Sequence, residues 1–420
     1  MSPKLIGRVE VFDVDNVTVI DSICGSGKTS WAMRHMQAHT ELGKRFIYIT
    51  PFLDEVKRVK LEGGFKEPVR QDGKLNSLKN LLIRYENIAS THALFKKADN
   101  EIIDLLQMGD YTLILDEVMD CVEHLPISKS DVSILIREWF INLNDDGTVS
   151  TNDTEYKGKF TELLEIIKHG SVVYTRSGDA VILLLWMFPV EIFQSFTSVY
   201  VLTYMFEGTT MSNYFKLNGV EYSLKSCEES ASTCRLGYAE KRWELINHRA
   251  DDGPQFKDLI NICQDETLNV LGKRRGSLSV TWYGNASSAV KGKLKRAIYT
   301  YIRKRVCAKS SEILWTTFKD YRKHITGNGY GRGFAAHNLR ATNIHRDRSV
   351  VVYTVNRYLN PYLVTFFKDV GNIDVSQDEF ALNELVQFLF RSRLRNREPI
   401  QLYIPSKRMR ELLEGWLDGV

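Results

Sequence analysis

Apolar runs alternate with polar or amphipathic stretches along the first half of the chain, which is typical of buried parallel strands joined by helices. Each run is followed by a turn or helix signal, and the runs lie at 17–20, 45–49, 88–92, 111–117, 180–190 and 199–204. An extended run at 7–12 predicts one more strand before them. The pattern therefore predicts an α/β fold built on a parallel sheet.

The second half of the chain repeats the pattern, with predicted strands at 278–283, 312–318, 349–355 and 398–404. A last helix is predicted at 406–417, with Ser406 as its N-cap. The stretch 223–253 is polar and mixed in charge and separates the two halves. We therefore expect a first domain at 1–222 with an insertion at about 130–180, a junction at 223–270 and a second domain at 271–420.

The loop after the strand at 17–20 has the composition of a phosphate-binding loop, because its core reads Gly-Ser-Gly-Lys-Thr and a helix-compatible run follows. Backbone N–H groups of such a loop and of the following helix N-terminus point at the anion. Lys28 would contact the β- and γ-phosphates, and the Thr29 hydroxyl would ligate Mg²⁺. The full pattern has a glycine where this chain has Ser22. The expected nucleotide-binding residues are Cys24, Gly25, Ser26, Gly27, Lys28, Thr29 and Ser30.

Two carboxylates follow the strongly apolar run at 111–115. In open α/β sheets, ligands bind at the carboxyl ends of the strands. Asp116 is therefore a candidate Mg²⁺ ligand, and Glu117 a candidate for orienting an attacking water. The alternative is an ordinary acidic turn. Thr203, at the end of the run at 199–204, would either sense the nucleotide state or cap a turn.

The charge is distributed unevenly, although the net charge of the 420 residues is only +4. Residues 271–348 contain 18 Lys or Arg and 3 Asp or Glu, which indicates a polyanion-binding surface. A solvated basic face without a partner is the alternative. Candidate nucleic-acid contacts are Thr50, Arg303, Arg332, Arg340 and Thr342.

The six cysteines form no CxxC pair, so neither a zinc site nor a disulfide framework is indicated. No signal peptide is recognised, and the longest apolar run is about half the length of a membrane span. We therefore expect a cytoplasmic protein with no membrane partner.

The order of these features resembles the motor core of superfamily 2 helicases of the DEAD/DEAH-like group, over nearly the whole chain. The features are the phosphate loop, a strand ending in Thr50-Pro51, the Asp116-Glu117 pair, a threonine-containing motif at Thr203 and a Gln/Arg motif near the C-terminus. Residues 340–361 and 391–395 look most like the compact helicases of bacteriophages.

The resemblance implies two tandem RecA-like P-loop domains, with a composite catalytic site to which both contribute. In the last motif Gln387 and Arg391 match the family spacing, whereas the third position falls on Leu394 between two arginines. It implies catalytic roles for Gln387, Arg391 and Arg395, with Arg391 the first candidate for the arginine that contacts the γ-phosphate. Val118 and Met119 stand where the family often has Ala-Asp or Ala-His.

The resulting prediction is an ATP-dependent helicase that uses ATP and Mg²⁺ and acts on a nucleic acid, for which DNA is expected over RNA. Three alternatives stay open: a translocase that does not separate strands, a nucleic-acid-binding protein with a vestigial ATPase, and a small-molecule P-loop kinase. The basic segment and the large second domain disfavour the kinase.

Overall fold

The computed structural model describes residues 16–71, 73–152, 156–168, 170–177, 180–233, 239–250, 252–337 and 344–420. The strand predicted at 7–12 lies outside these ranges. The described chain forms two compact units, called here the first and second units. The first unit comprises the chain up to Asp21, Gly27–Asn247 and Asn360–Val375, and the second comprises Ser22–Ser26, His248–Leu359 and Ser376–Val420.

The strands are numbered in chain order. They are β1 Val17–Asp21, β2 Arg45–Thr50, β3 Ile88–Thr91, β4 Tyr111–Asp116, β5 Val122–His124, β6 Ile141–Leu143, β7 Val149–Thr151, β8 Val172–Ser177, β9 Ala180–Met187, β10 Ser198–Thr203, β11 Ser223–Thr233, β12 Ala239–Asn247, β13 Ile260–Ile262, β14 Ile313–Thr316, β15 Val350–Tyr353 and β16 Ile400–Tyr403.

The α-helices are numbered in the same way. They are α1 Lys28–Thr40, α2 Leu53–Gly63, α3 Lys74–Ile83, α4 His92–Phe95, α5 Asn100–Gly109, α6 Lys129–Arg137, α7 Thr161–Lys168, α8 Glu191–Gln194, α9 Thr210–Leu217, α10 Glu266–Asn269, α11 Val280–Asn285, α12 Ser288–Thr300, α13 Arg322–Ile325, α14 Pro361–Gly371, α15 Gln377–Leu389 and α16 Lys407–Asp418.

The first unit is built on a seven-stranded sheet with the order β12-β11-β1-β10-β4-β2-β3. All neighbouring strands are parallel except the β11–β12 pair, which is an antiparallel hairpin. One face of the sheet buries Ile20, Tyr48 and Ile114 against Ala32 of α1 and Val56 of α2. Burial of both faces explains why these strands read as continuous apolar runs.

The chain between β4 and β10 forms a substructure with its own core. It contains the three-stranded sheet β5-β9-β8 and the two-stranded sheet β6-β7. Val132 and Leu135 of α6 pack with Ile167 of α7 and with Tyr174 and Leu184 of the sheet. The substructure is therefore an insertion that leaves the order of the main sheet unchanged.

The first unit also includes a segment from late in the sequence, because the chain returns to it at Asn360–Val375. There α14 packs against α9 and β5. The rings of Tyr362 and His124 lie 5.1 Å apart. A Cβ at Gly371 would lie 2.8 Å from Leu217 Cδ1, so the C-terminal end of α14 sits tightly against α9.

The second unit has a four-stranded parallel sheet with the order β13-β16-β15-β14. Trp315, Val351 and Leu402 are fully buried in it, and Leu385 of α15 and Leu413 of α16 are fully buried as well. Together the two sheets confirm the predicted fold class, which is α/β with two tandem parallel-sheet domains and an insertion in the first. The Ser406 side chain accepts a hydrogen bond from Met409 N, as predicted for an N-cap.

Two local predictions are wrong. Much of the polar stretch predicted as a junction forms the β11–β12 hairpin of the first sheet. The strand predicted at 278–283 is largely helix α11, because the Ser279 hydroxyl accepts a hydrogen bond from Trp282 N and starts a helix there. None of the helices in the described residues is long and apolar enough to cross a bilayer.

Candidate nucleotide-binding site

The predicted phosphate loop connects β1 to α1, so the strand–loop–helix order is present. Gly25 and Gly27 have φ values of 91° and 97°, in the left-handed region that favours glycine. Gly27 is the N-cap of α1, and its carbonyl accepts a hydrogen bond from Trp31 N. The sequence therefore has glycine at the two loop positions where a side chain would strain the backbone.

Gly27 is also required by packing, because the Trp243 indole lies where its side chain would be. A Cβ at Gly27 would lie 1.9 Å from Trp243 Nε1. Trp243 belongs to β12, and the guanidinium carbon of Arg34 on α1 lies 4.8 Å from its ring centroid. The hairpin that was not predicted thus brings an aromatic side chain against the phosphate loop.

The carboxyl ends of three central strands are aligned beside this loop. Asp21 at the end of β1 pairs with Thr203 at the end of β10, and Leu202 pairs with Asp116 at the end of β4. Thr50 ends β2 on the other side of β4. The strand that ends in Asp116, β4, therefore neighbours both strands that end in threonine, β10 and β2. It lies two strands away from β1, which leads into the loop.

Asp116 is buried, and two side chains of the first unit hold it in place. The Tyr48 hydroxyl donates a hydrogen bond to Asp116 Oδ2 at 2.7 Å, and His92 Nε2 donates to the Asp116 backbone carbonyl at 3.2 Å. Burial, followed by the neighbouring Glu117 carboxylate, raises the pKa of Asp116 to about 7, while the Tyr48 hydrogen bond and Lys28 oppose this rise. Lys28 is thus within electrostatic range of Asp116.

Glu117 has a φ of 67°, which is rare for a residue with a side chain. Its backbone N–H donates to Leu202 O at 2.9 Å, which fixes the turn after β4. Strained non-glycine residues of this kind cluster at functional sites, at a cost of about 1–3 kcal/mol. The strain supports a functional reading of the acidic pair over an ordinary turn.

The oxygen atoms at this edge fit a magnesium ion, which prefers oxygen ligands and keeps several waters. The hydroxyls of Thr50 and Thr203 are fully buried at the ends of their strands, and neither has a hydrogen-bond partner among the described residues. Buried polar groups without partners are unusual and indicate an ion or water at the site. Asp116 and the half-buried Thr29 supply the other oxygens. In the described residues, no group of three or more His, Cys, Asp or Glu side chains could hold a metal.

Asp21 was not predicted, and it has a structural role. Its carboxylate accepts hydrogen bonds from Met205 N at 2.7 Å and from Phe206 N at 2.9 Å. This contact fixes the turn that follows Thr203. An acidic residue directly before the phosphate loop was the available signal in the sequence.

The arginines of the C-terminal Gln/Arg motif differ in their surroundings within the second unit. Arg391 is 6% exposed, and its guanidinium donates to the carbonyls of Ala336 and His337, both at 3.2 Å. Arg395 is exposed, and a Cβ at Gly25 would lie 3.6 Å from its Cγ. Gln387 donates to Asn383 Oδ1 at 2.7 Å. The structure thus places Arg395, rather than Arg391, next to a loop glycine.

The candidate nucleic-acid residues are not equally accessible. Thr50 is fully buried, which is at odds with a side-chain contact to nucleic acid. Arg303 donates to the carbonyls of Ala308 and Gly329, so it holds the loop around Gly329, which has glycines at 327, 329, 331 and 333. Arg332 is exposed, whereas Arg340 and Thr342 lie outside the described residues. Further exposed basic side chains of the segment 271–348 lie on α12, at Lys293, Lys295 and Arg296.

Comparison with family models gives two matches. Residues 254–417 match the YonV C-terminal Rossmann-like domain, and residues 122–186, which form the insertion, match the YonV middle domain. Two solved structures have low similarity to the chain. One is S. tokodaii Xpd4, with 12% identity and a TM-score of 0.45 over 97% of this chain and 95% of the other. The other is the DUF1998 helicase MrfA bound to DNA, with 9% identity and a TM-score of 0.32 over 95% of this chain and 48% of the other.

A curated relative aligns over the full length. It is the SPbeta prophage-derived uncharacterized protein YonV of Bacillus subtilis (strain 168). The two sequences are 36% identical over 426 residues, which cover 97% of this chain and 100% of the relative. The chain therefore belongs to the YonV family.

Proposed function

We propose that this protein is an ATP-dependent nucleic-acid helicase, with DNA as its preferred substrate. One observation carries the proposal: the loop between β1 and α1 and the Asp116-Glu117 pair lie at the same edge of one parallel sheet, with Lys28 in electrostatic range of Asp116. A loop that only turned the chain would not need this arrangement. The family's relative in Bacillus subtilis is prophage-derived, which fits a role in a phage.

The proposed division of labour follows from the positions of the side chains. Lys28 and the loop N–H groups bind the β- and γ-phosphates, and Glu117 orients the attacking water. Mg²⁺, held by Thr29 and Asp116, would neutralise charge on the transferred phosphoryl group. Arg395 is the better candidate for the γ-phosphate contact, because Arg391 is buried and bound to two carbonyls. Arg391 would then position the segment around His337.

The basic segment 271–348 belongs to the second unit, and it supplies the proposed nucleic-acid surface. Binding through phosphates is largely independent of sequence and sensitive to salt. A cycle of ATP binding and hydrolysis that alternately strengthens and weakens these contacts would move the protein along a strand.

The test is Lys28→Ala, with Lys44→Ala as a control that removes an exposed lysine from the same unit. ATPase activity is measured with single-stranded DNA, duplex DNA and RNA as stimulants. We expect Lys28→Ala to lower turnover by about 100-fold or more, with DNA affinity unchanged. If Lys28→Ala keeps its ATPase activity, the site assignment is wrong. Strand displacement from a fluorescent duplex then separates a helicase from a translocase that leaves the duplex intact.

A further inference from the structure

The first unit contains a pocket of about 380 Å³ that borders the first turn of α1, directly after the phosphate loop. Its volume is within the range of small-molecule ligand sites. Helix α1 forms one side through Ser30, Arg34 and Gln37. Helix α2 contributes Arg58 and Glu62, and β12 contributes Trp243.

The pocket is continuous with the predicted phosphate site at two points. Ser30 follows Thr29 directly in sequence, and both lie in the first turn of α1. Trp243 borders the pocket and also lies against Gly27, the last loop residue before α1. A ligand with its phosphates on the loop could therefore extend into the pocket without leaving the protein surface.

The side chains in the pocket are those that recognise a heterocyclic base. A base can stack on an indole ring and on a planar guanidinium, and Arg34 already lies over the Trp243 ring at 4.8 Å. The Trp243 indole is half-buried, and no other aromatic ring of the described residues stacks on it. The Gln37 amide is exposed and offers both a donor and an acceptor to the edge of a base.

The charges in the pocket favour a neutral ring that can donate hydrogen bonds. Arg58 is paired with Glu55 at 3.1 Å and lies 3.8 Å from Glu62. The Glu62 carboxylate is 57% exposed, so most of its acceptor capacity faces the solvent and the pocket. An exocyclic amino group would find an acceptor there.

We propose that this pocket binds the base of the nucleotide, stacked on Trp243 and Arg34. The inference rests on the proposed function, because it assumes that the loop binds the phosphates of a nucleotide. It assigns base recognition to a hairpin strand distant in sequence from the phosphate loop.

The experiment compares two ligands: a fluorescent ATP analogue, followed by anisotropy with Mg²⁺, and inorganic tripolyphosphate, measured by its competition with that analogue. Because Trp243→Ala removes the ring on which the base stacks, it should weaken ATP binding by about 10- to 100-fold. Tripolyphosphate has no base, so its own affinity should change less than about 3-fold by the same reasoning. Trp243→Phe keeps a ring and should recover most of the ATP affinity.

Trp139→Ala is the matched control, because it removes a 74% exposed tryptophan from the insertion. It should bind both ligands like the unmodified chain. Thermal unfolding of each variant checks that the first unit is intact.

Two results would overturn the inference while the proposed function stands: an equal loss of affinity for both ligands, or no loss for either. The first would mean that Trp243 only shapes the loop around Gly27. If the unmodified chain binds neither ligand, the proposed function and the base pocket fail together.

Discussion

The contact between Tyr48 and Asp116 joins two neighbouring strands at the proposed catalytic edge. The tyrosine is fully buried, and its hydroxyl donates a hydrogen bond to Oδ2 of the Asp116 carboxylate. The Oδ1 atom is therefore available to a ligand. Burial raises the pKa of the Tyr48 hydroxyl well above its usual value, so this group stays a donor. The sequence showed Asp116 but not its partner, because a tyrosine in an apolar strand looks like core.

Replacing Tyr48 with Phe removes that donor and leaves the Asp116 carboxyl buried with one hydrogen bond fewer. We expect the free energy of unfolding to fall by about 1–3 kcal/mol and the Mg²⁺ concentration needed for half-maximal ATPase activity to change. Urea denaturation and a Mg²⁺ titration measure the two effects. Tyr85→Phe is the control, because Tyr85 is 50% exposed and its ring would still stack on Arg45. A Tyr48→Phe variant as stable as this control would show that the hydrogen bond contributes little.

Gly27→Ala tests the close approach of Trp243 to the loop. The substitution has two costs, a left-handed φ and a Cβ that would collide with the indole. Gly43→Ala is a matched control, because Gly43 has a φ of 81° but nothing within 4 Å of the added Cβ. We expect Gly43→Ala to cost about 1 kcal/mol and Gly27→Ala to cost more and to abolish nucleotide binding. Equal stability losses and intact nucleotide binding in both variants would show that the Trp243 indole moves aside to make room for the added Cβ.

At the scale of elements, helix α1 contains a stack of aromatic rings that the sequence did not suggest. The rings of Trp31 and His35 are stacked at 4.8 Å, and those of His35 and His39 lie 4.1 Å apart. The edge of His35 also contacts Tyr200 of β10. Burial, followed by repulsion from His39, lowers the pKa of His35 to about 4.

This pKa makes the stability of the first unit sensitive to acid. The unfolded chain, with a histidine pKa of about 6.5, binds more protons than the folded one between about pH 6.5 and 4. The free energy of unfolding is therefore unaffected by this group above pH 6.5, and it decreases as the pH falls toward 4. From pH 7.5 to 5.0 we expect a loss of about 1 kcal/mol from this group, after allowance for the partial exposure of the ring.

His35→Gln should reduce this loss, whereas His324→Gln should leave it unchanged, because His324 is exposed. Urea denaturation of each variant at pH 7.5 and pH 5.0 measures the difference. Parallel curves for His35→Gln and the unmodified chain would assign the acid sensitivity to other groups.

The sequence predicted elements well wherever an apolar run had to be buried on both faces, as in β4 and β10. It failed where local chemistry decides the structure. At 278–283 the β-favouring residues Val280, Trp282 and Tyr283 suggested a strand, but Ser279 caps a helix. The β11–β12 hairpin was missed because most residues of its strands are polar, and the few that pack on the core, Cys227, Trp243 and Leu245, give only a weak periodic signal. The partner residues Tyr48 and Trp243 were missed because only the fold brings them to the site.

At the scale of the whole molecule, the uneven charge predicts how nucleic-acid binding depends on salt. Lys293, Lys295 and Arg296 are exposed on α12, within the basic segment. Each basic residue that contacts a phosphate adds roughly 0.7–0.9 to the slope of log affinity against log salt. The contribution of these side chains to nucleic-acid binding can therefore be measured from the salt dependence of the affinity.

Changing these three residues to Gln should weaken single-stranded DNA binding and lower that slope by up to about 2. The matched control replaces Lys60, Lys97 and Lys129, which are exposed in the first unit, by Gln. Anisotropy titrations from low to moderate salt give both slopes. An equal effect of the two triple variants would indicate attraction by net charge alone, without a defined surface on α12.

The return of the chain to the first unit at Asn360–Val375 has a consequence for biosynthesis. Helix α14 packs against α9 and β5, yet it emerges from the ribosome only after most of the second unit. At about 5–20 residues per second, the first unit waits roughly 6–25 s for its last helix. During that interval the surface of α9 that will meet Gly371 is open to chaperones. A gene cut after Asn247 would leave that surface exposed permanently, so neither half is a natural fragment for separate expression.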